Sequence, residues 1–122
     1  MRNEKKEFTH FKIHTQYSIC EGAIKITDLG KYCKENKIQS IGLSDSFNLC
    51  GALEFSEEIS KSGTQPIIGT QINFVFNKVM GKIPIFAQTK KGFSNLTKLS
   101  SKSYLDAKET LPPHCNLSLI HI

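Results

Sequence analysis

Residues 39–51, Gln-Ser-Ile-Gly-Leu-Ser-Asp-Ser-Phe-Asn-Leu-Cys-Gly, constrain the fold more than any other stretch. Ile41, Gly42 and Leu43 read as a short apolar strand. It breaks at a polar turn carrying Asp45, Ser46 and Asn48, and Gly51 then opens a helical pattern. A strand that ends in an acid and turns straight into a helix is how β/α units present chemistry, because reactive groups gather at the C-terminal ends of the strands. The same layout recurs at His14 and at Gln71. Three strand ends are therefore expected to face one pocket.

The neighbouring segments fit that scheme. Residues 8–14 alternate apolar and polar side chains with the period of a strand, which would put His10, Lys12 and His14 on one face. Residues 15–22 read as a loop with a turn at Glu21 and Gly22. A helix is expected over 27–36, capped by Thr27, with Asp28 at its positive end and Ile26, Leu29 and Cys33 as its apolar stripe. Gly30 weakens that helix by about 1 kcal/mol relative to alanine, so it should mark a close approach. A second helix over 52–62 would bury Ala52, Phe55 and Ile59 and stop at a left-handed Gly63. A third strand at 65–76, a turn at 77–81 and a fourth strand at 82–88 follow, with Pro84 requiring an edge or a bulge. The last helix, 93–103, carries Phe93, Leu96 and Leu99 at helical spacing. Strands alternating with helices imply an α/β fold with a parallel core.

Composition narrows the functional classes. The length of 122 residues suits one small domain or part of a larger one. The net charge is +5, but Arg2 is the only arginine. Arginine is the usual fork for phosphates and base edges, so a solvated lysine surface accounts for the charge better than a nucleic-acid patch does. No apolar run reaches the roughly 18 residues of a membrane span, and the charged first seven residues are unlike a signal peptide; a cytoplasmic location without membrane contact is the expectation. Cys20, Cys33, Cys50 and Cys115 lack the paired spacing of a zinc knuckle and read as reduced thiols.

Four motifs resemble the PHP (polymerase and histidinol phosphatase) domain, in the version at the N-terminus of the alpha subunit of bacterial DNA polymerase III. They are His10 to Ser18 with Glu21-Gly22-Ala23, Leu43 to Phe55, Lys61 to Gln71, and Lys91 to Lys102. The likeness runs from Phe8 to about Leu105. It implies the first part of a seven-stranded β/α barrel, with a trinuclear metal site at the strand ends. The polymerase portion and the later metal motifs are absent from these residues, so the chain reads as a fragment, with a partial PHP domain at 1–105 and a divergent tail at 106–122.

Departures from the family pattern fall on the metal ligands. Where metal-binding members carry His-x-His, this sequence has Lys12 and His14. Their Asp-His pair is Asp45 and Ser46 here, and their Glu is Gln71. Three of five positions have lost their ligand. Lys12 adds a fixed positive charge where cations would bind, and could pair with Asp45 in place of a metal. The resemblance thus implies a degenerate pocket of Lys12, His14, Asp45, Ser46 and Gln71, with no metal and no catalytic residue. It further implies a scaffold for the proofreading exonuclease subunit among other replicase subunits. DNA and magnesium would be bound by downstream domains of the parent polymerase. The competing reading is a metal-dependent PHP phosphoesterase whose site is completed downstream. The closing residues, 117–122, are those that a common transposon-end sequencing adapter encodes in one frame, and natural sequence is expected to give out near Pro113 or Cys115. Half a barrel with an open edge is also expected to be poorly soluble alone.

Overall fold

The computed structural model describes residues 8–107 and 110–117. Its elements are α1 (Ile26–Glu35), β1 (Ser40–Ser46), α2 (Ala52–Lys61), β2 (Gln65–Phe76), β3 (Val79–Phe86), α3 (Lys90–Leu105) and β4 (His114–Asn116). β2 is the hub. It pairs in parallel with β1 along its first half and with β4 along its second, and antiparallel with β3. The parallel core is present, but β3 returns as a hairpin arm, so the sheet is mixed. Asn77 and Lys78 both take positive φ, 47° and 66°, the geometry a tight two-residue hairpin demands. Pro84 sits on this outer strand, opposite Gln71.

Register separates the two faces. Ile41, Leu43 and Asp45 share a side with Ile68, Thr70, Ile72 and Phe74. That side carries the core. Ile41 and Leu43 pack with Ile26, Leu29 and Cys33 of α1 and with Ala52, Phe55 and Ile59 of α2. Ile72 and Phe74 pack with Cys115 of β4, and half-buried Leu99 of α3 joins them. The opposite face is polar: Ser44, Ser46, Gln71, Asn73 and, across the hairpin, Lys82.

The helix starts differ from the sequence reading at α1 and at α3. α1 starts at Ile26 behind Lys25, with no side-chain cap; Thr27 lies inside the first turn. Gly30 does mark a close approach, since Ser62 Oγ donates to its carbonyl at 2.8 Å. Gly63 ends α2 with φ +78°. α3 begins earlier than periodicity suggested because Thr89 Oγ1 accepts the Gly92 N–H at 3.0 Å, a true N-cap.

The expected first strand over 8–14 is extended but joins no regular ladder. It lies beside β1 through two bonds, Gly42 N–H to His10 O (2.7 Å) and Ser44 N–H to Ile13 O (2.9 Å). The donors are two residues apart and the acceptors three. One extra residue is therefore accommodated on the N-terminal segment, as in a bulge, and the strict alternation that would have aligned His10, Lys12 and His14 is lost. Gly42 permits the approach, since a methyl group there would lie 2.8 Å from Phe11 Cα. Within the tail, β4 and Leu117 are built into the second core cluster; the remaining residues matched to an adapter, 118–122, lie outside the described residues.

Candidate functional site

Asp45, the next-to-last residue of β1, is fully buried. Its carboxylate accepts three short hydrogen bonds: from Thr15 N–H to Oδ1 (2.6 Å), Thr15 Oγ1 to Oδ2 (2.7 Å) and Ser18 Oγ to Oδ1 (2.7 Å). Its backbone carbonyl takes a fourth, from Thr70 Oγ1 at 2.7 Å. The sequence placed Lys12 against this acid. The structure does not: Lys12 is exposed and takes no part in the ion pairs among the described residues. The bulge before Thr15 turns it outward, and loop donors satisfy the carboxylate instead.

His14, Ser18 and Asp45 have the residue types of a nucleophilic triad but the wrong order in space. Ser18 Oγ stands between the other two, 3.3 Å from His14 Nδ1 and 2.7 Å from Asp45. Its single proton goes to the carboxylate, which can only accept. Its lone pairs receive Ser46 N–H (3.0 Å) and, by elimination, His14 Nδ1–H. A fully buried hydroxyl with all its hydrogen-bonding capacity used is a structural pin, not an attacking group.

Ser46 and Gln71 lie on the opposite, polar face, next to each other in register. Ser46 Oγ donates to Glu21 Oε2 at 2.6 Å, and Lys82 Nζ reaches Glu21 Oε1 at 3.2 Å. These contacts, with Ser46 the strongest and the Lys82 and His14 charges adding, hold the Glu21 carboxyl below its usual range. Phe47, next in the turn, takes φ 64°, a region unfavourable for a bulky side chain. It is held there by its N–H on Gln71 O (2.9 Å), by Tyr104 OH on its carbonyl (2.6 Å) and by Lys82 Nζ, 5.4 Å from its ring centre. Gln71 Oε1 and Ser44 Oγ are buried without a hydrogen-bond partner among the described residues. Asn48 ties the turn to the loop, donating to Tyr17 O and Ser46 O, while Tyr17 OH donates to Glu54 Oε2 at 2.6 Å.

The five residues picked from the sequence are thus split. His14 and Asp45 meet through Ser18, which also accepts the Ser46 N–H; the Ser46 hydroxyl turns to Glu21, Gln71 lies beside Ser46 in register, and Lys12 belongs to neither group. Thr15, Ser18, Glu21 and Lys82 complete the network and were not singled out. A hydroxyl one or four residues past His14 is the one available sequence signal for the first two; nothing in the sequence brings Lys82 to residue 21. The donor set does not fit a trinuclear metal site. Among the described residues no three His, Cys, Asp or Glu side chains converge as ligands. The buried Asp45 already accepts three N–H and O–H donors on its two oxygens, and Glu21 already faces an ammonium.

Residues 10–121 match the family described as the PHP domain. The DNA polymerase III alpha subunit of Caulobacter vibrioides is 39% identical over 118 residues, covering 90% of this chain and 10% of that protein. Those of Helicobacter pylori and Aquifex aeolicus are 37% and 34% identical, covering 84% and 81% of this chain. The chain spans about a tenth of the length of these curated relatives. A crystal structure from Bifidobacterium adolescentis, assigned as a metal-dependent phosphoesterase, superposes with a TM-score of 0.56 at 17% identity, covering 79% of this chain and 34% of that one; it supports the fold alone. With the strand–turn–helix units, the loop folded over the end of β1 and a match over nearly its whole length, the chain belongs to the PHP domain family.

Proposed function

We propose that the chain is the N-terminal PHP region of a DNA polymerase III alpha subunit, the template-directed DNA polymerase of chromosomal replication, acting in the cytoplasm. Its pocket is a metal-free structural element rather than a phosphoesterase centre, and the domain serves as the platform on which the proofreading exonuclease subunit docks. Polymerisation, with its magnesium and DNA contacts, belongs to parts of the parent chain beyond these residues. The observation that carries the metal-free reading is Asp45. A carboxylate at a ligand position is fully buried and both of its oxygens are engaged by Thr15 and Ser18, three donors in all, so it closes the loop onto the sheet.

The test is elemental analysis of the complete PHP domain within its parent chain, with phosphoesterase assays in added manganese or zinc. The expected result is no stoichiometric metal and no hydrolysis. Two or three tightly bound metals, lost on His14→Ala, overturn the reading in favour of a metal-dependent phosphoesterase. Gel filtration of the same chain with the exonuclease subunit tests the docking role, and separate elution refutes it.

A further inference from the structure

We infer that Lys82 is the resident cation of the polar sheet face: a lysine delivered by the hairpin arm supplies the positive charge that ties the strand-end loop to the sheet. The inference rests on the metal-free reading above and names the group that does the work in place of a metal.

The geometry is specific. Lys82 lies on β3 opposite Asn73, on the same sheet face as Ser46 and Gln71. Its ammonium meets Glu21 at 3.2 Å, a residue 61 positions earlier in the chain. Glu21 simultaneously takes the Ser46 hydroxyl at 2.6 Å. Lys82 also stands 5.4 Å from the centre of the Phe47 ring, within cation–π range. One ammonium therefore joins the loop at Glu21 and the strained turn at Phe47, two segments that flank Ser46 on the polar sheet face. Divalent ions at strand ends do the same job, drawing acidic loops and turns onto a common charge. Lys12, which the sequence nominated for this role, faces solvent.

A partly exposed pair of this kind is modest in energy, so the test measures coupling rather than bulk stability. In the complete PHP domain within its parent chain, Glu21→Gln, Lys82→Met and the double variant form a cycle. The unfolding equilibrium is expected to show a coupling of about two- to fivefold between the two positions. Backbone amides of the loop, Gly22 and Gln16, should exchange faster in Lys82→Met, and Lys82→Arg should restore their protection. A merely structural lysine stem would be rescued equally by methionine, so protection retained in Lys82→Met overturns the inference. So do additive effects in the cycle. Manganese titration of the unmodified protein separates the two proposals. Stoichiometric binding there refutes the metal-free reading, whereas an additive cycle without metal binding refutes only the assignment of Lys82.

Discussion

Neutralising Asp45 distinguishes a structural carboxylate from a metal ligand by the sign of the effect. A ligand stripped of its metal gains nothing from its charge in the apo protein, and its removal leaves stability unchanged or raised. Asp45 instead holds three donors at 2.6–2.7 Å in a fully buried site. Hydrogen bonds to a charged group contribute about 1.5–3 kcal/mol against about 1 for neutral pairs. Asp45→Asn keeps the shape and gives up that difference. The new amide N–H₂ faces Thr15 Oγ1, which must then accept it while also receiving Tyr17 N–H at 3.3 Å. The expected cost is about 2 kcal/mol, from roughly 0.7 kcal/mol lost at each of three bonds. Asp45→Ala leaves the Thr15 N–H and two hydroxyls without this acceptor and should cost about 4 kcal/mol. Urea unfolding of the complete domain, followed by circular dichroism, reads both values as midpoint shifts at constant slope. An Asp45→Asn variant as stable as the parent, or more so, refutes the reasoning.

Other expectations follow from single contacts. Gly42→Ala drives a methyl group to 2.8 Å from Phe11 Cα and 2.9 Å from its carbonyl. It should cost about 1–3 kcal/mol in the same urea assay and free residues 8–14 from β1, seen as faster proteolysis there; an unchanged midpoint disproves the tight approach. Thiol labelling of the native protein should modify exposed Cys20 and Cys50 quickly. Cys33 and Cys115 should react only on unfolding, because burial both covers them and pushes their thiols up; four equally fast thiols contradict the packing of both core clusters. The Tyr17 phenol is raised chiefly by its hydrogen bond to Glu54 and then by that charge. A raised folded-state value means the stabilisation is complete below the unfolded phenol's pKa, about 10, and is lost as pH climbs through the folded value. In a phenolate absorbance titration Tyr17→Phe should remove one late-ionising phenol and leave Tyr104, which burial also raises; an unchanged late component contradicts the bond. Gln71→Met removes a buried oxygen that lacks a partner, so stability should hold or rise by up to about 1 kcal/mol; a clear loss in the urea midpoint would show that the amide is engaged.

How much of this was legible beforehand depends on how local the signal is. α2 and the β2 run were readable because Ala52, Phe55 and Ile59 repeat at helical spacing and Gly63 stops the helix by its own backbone freedom. The β1 strand was readable too, but it runs on through Asp45 and Ser46, which the sequence reading had put in the turn, because both pair with β2. Residues 8–14 alternate well enough to suggest a strand, but alternation carries no information about the extra residue needed to fit beside β1. That single offset removed Lys12 from the pocket. β4 was missed because three residues after Pro112 and Pro113 carry no period; they are recruited by Ile72 and Phe74, which lie about forty positions earlier. Glu21 and Lys82 were individually unremarkable, one in a turn and one in a strand, and only the hairpin geometry makes them neighbours.

The bonds that hold the N-terminal loop have a consequence for the order in which the protein can assemble as it is made. Thr15 and Ser18 answer to Asp45, 30 and 27 positions later, and Tyr17 to Glu54, 37 positions later. Closing a loop of about 30 residues costs on the order of 3 kcal/mol, which no single one of these bonds offsets. At roughly 5–20 residues per second of synthesis, the segment around residues 15–18 waits about 2–6 seconds after leaving the ribosome for the strand and helix it will bind. Lys82 emerges later still, 61 residues after Glu21. A nascent chain therefore carries Ile13 and Tyr17, which pack on the first core cluster, uncovered through that interval, and the hairpin arm arrives as the final clasp on a loop the earlier strand has already gathered in.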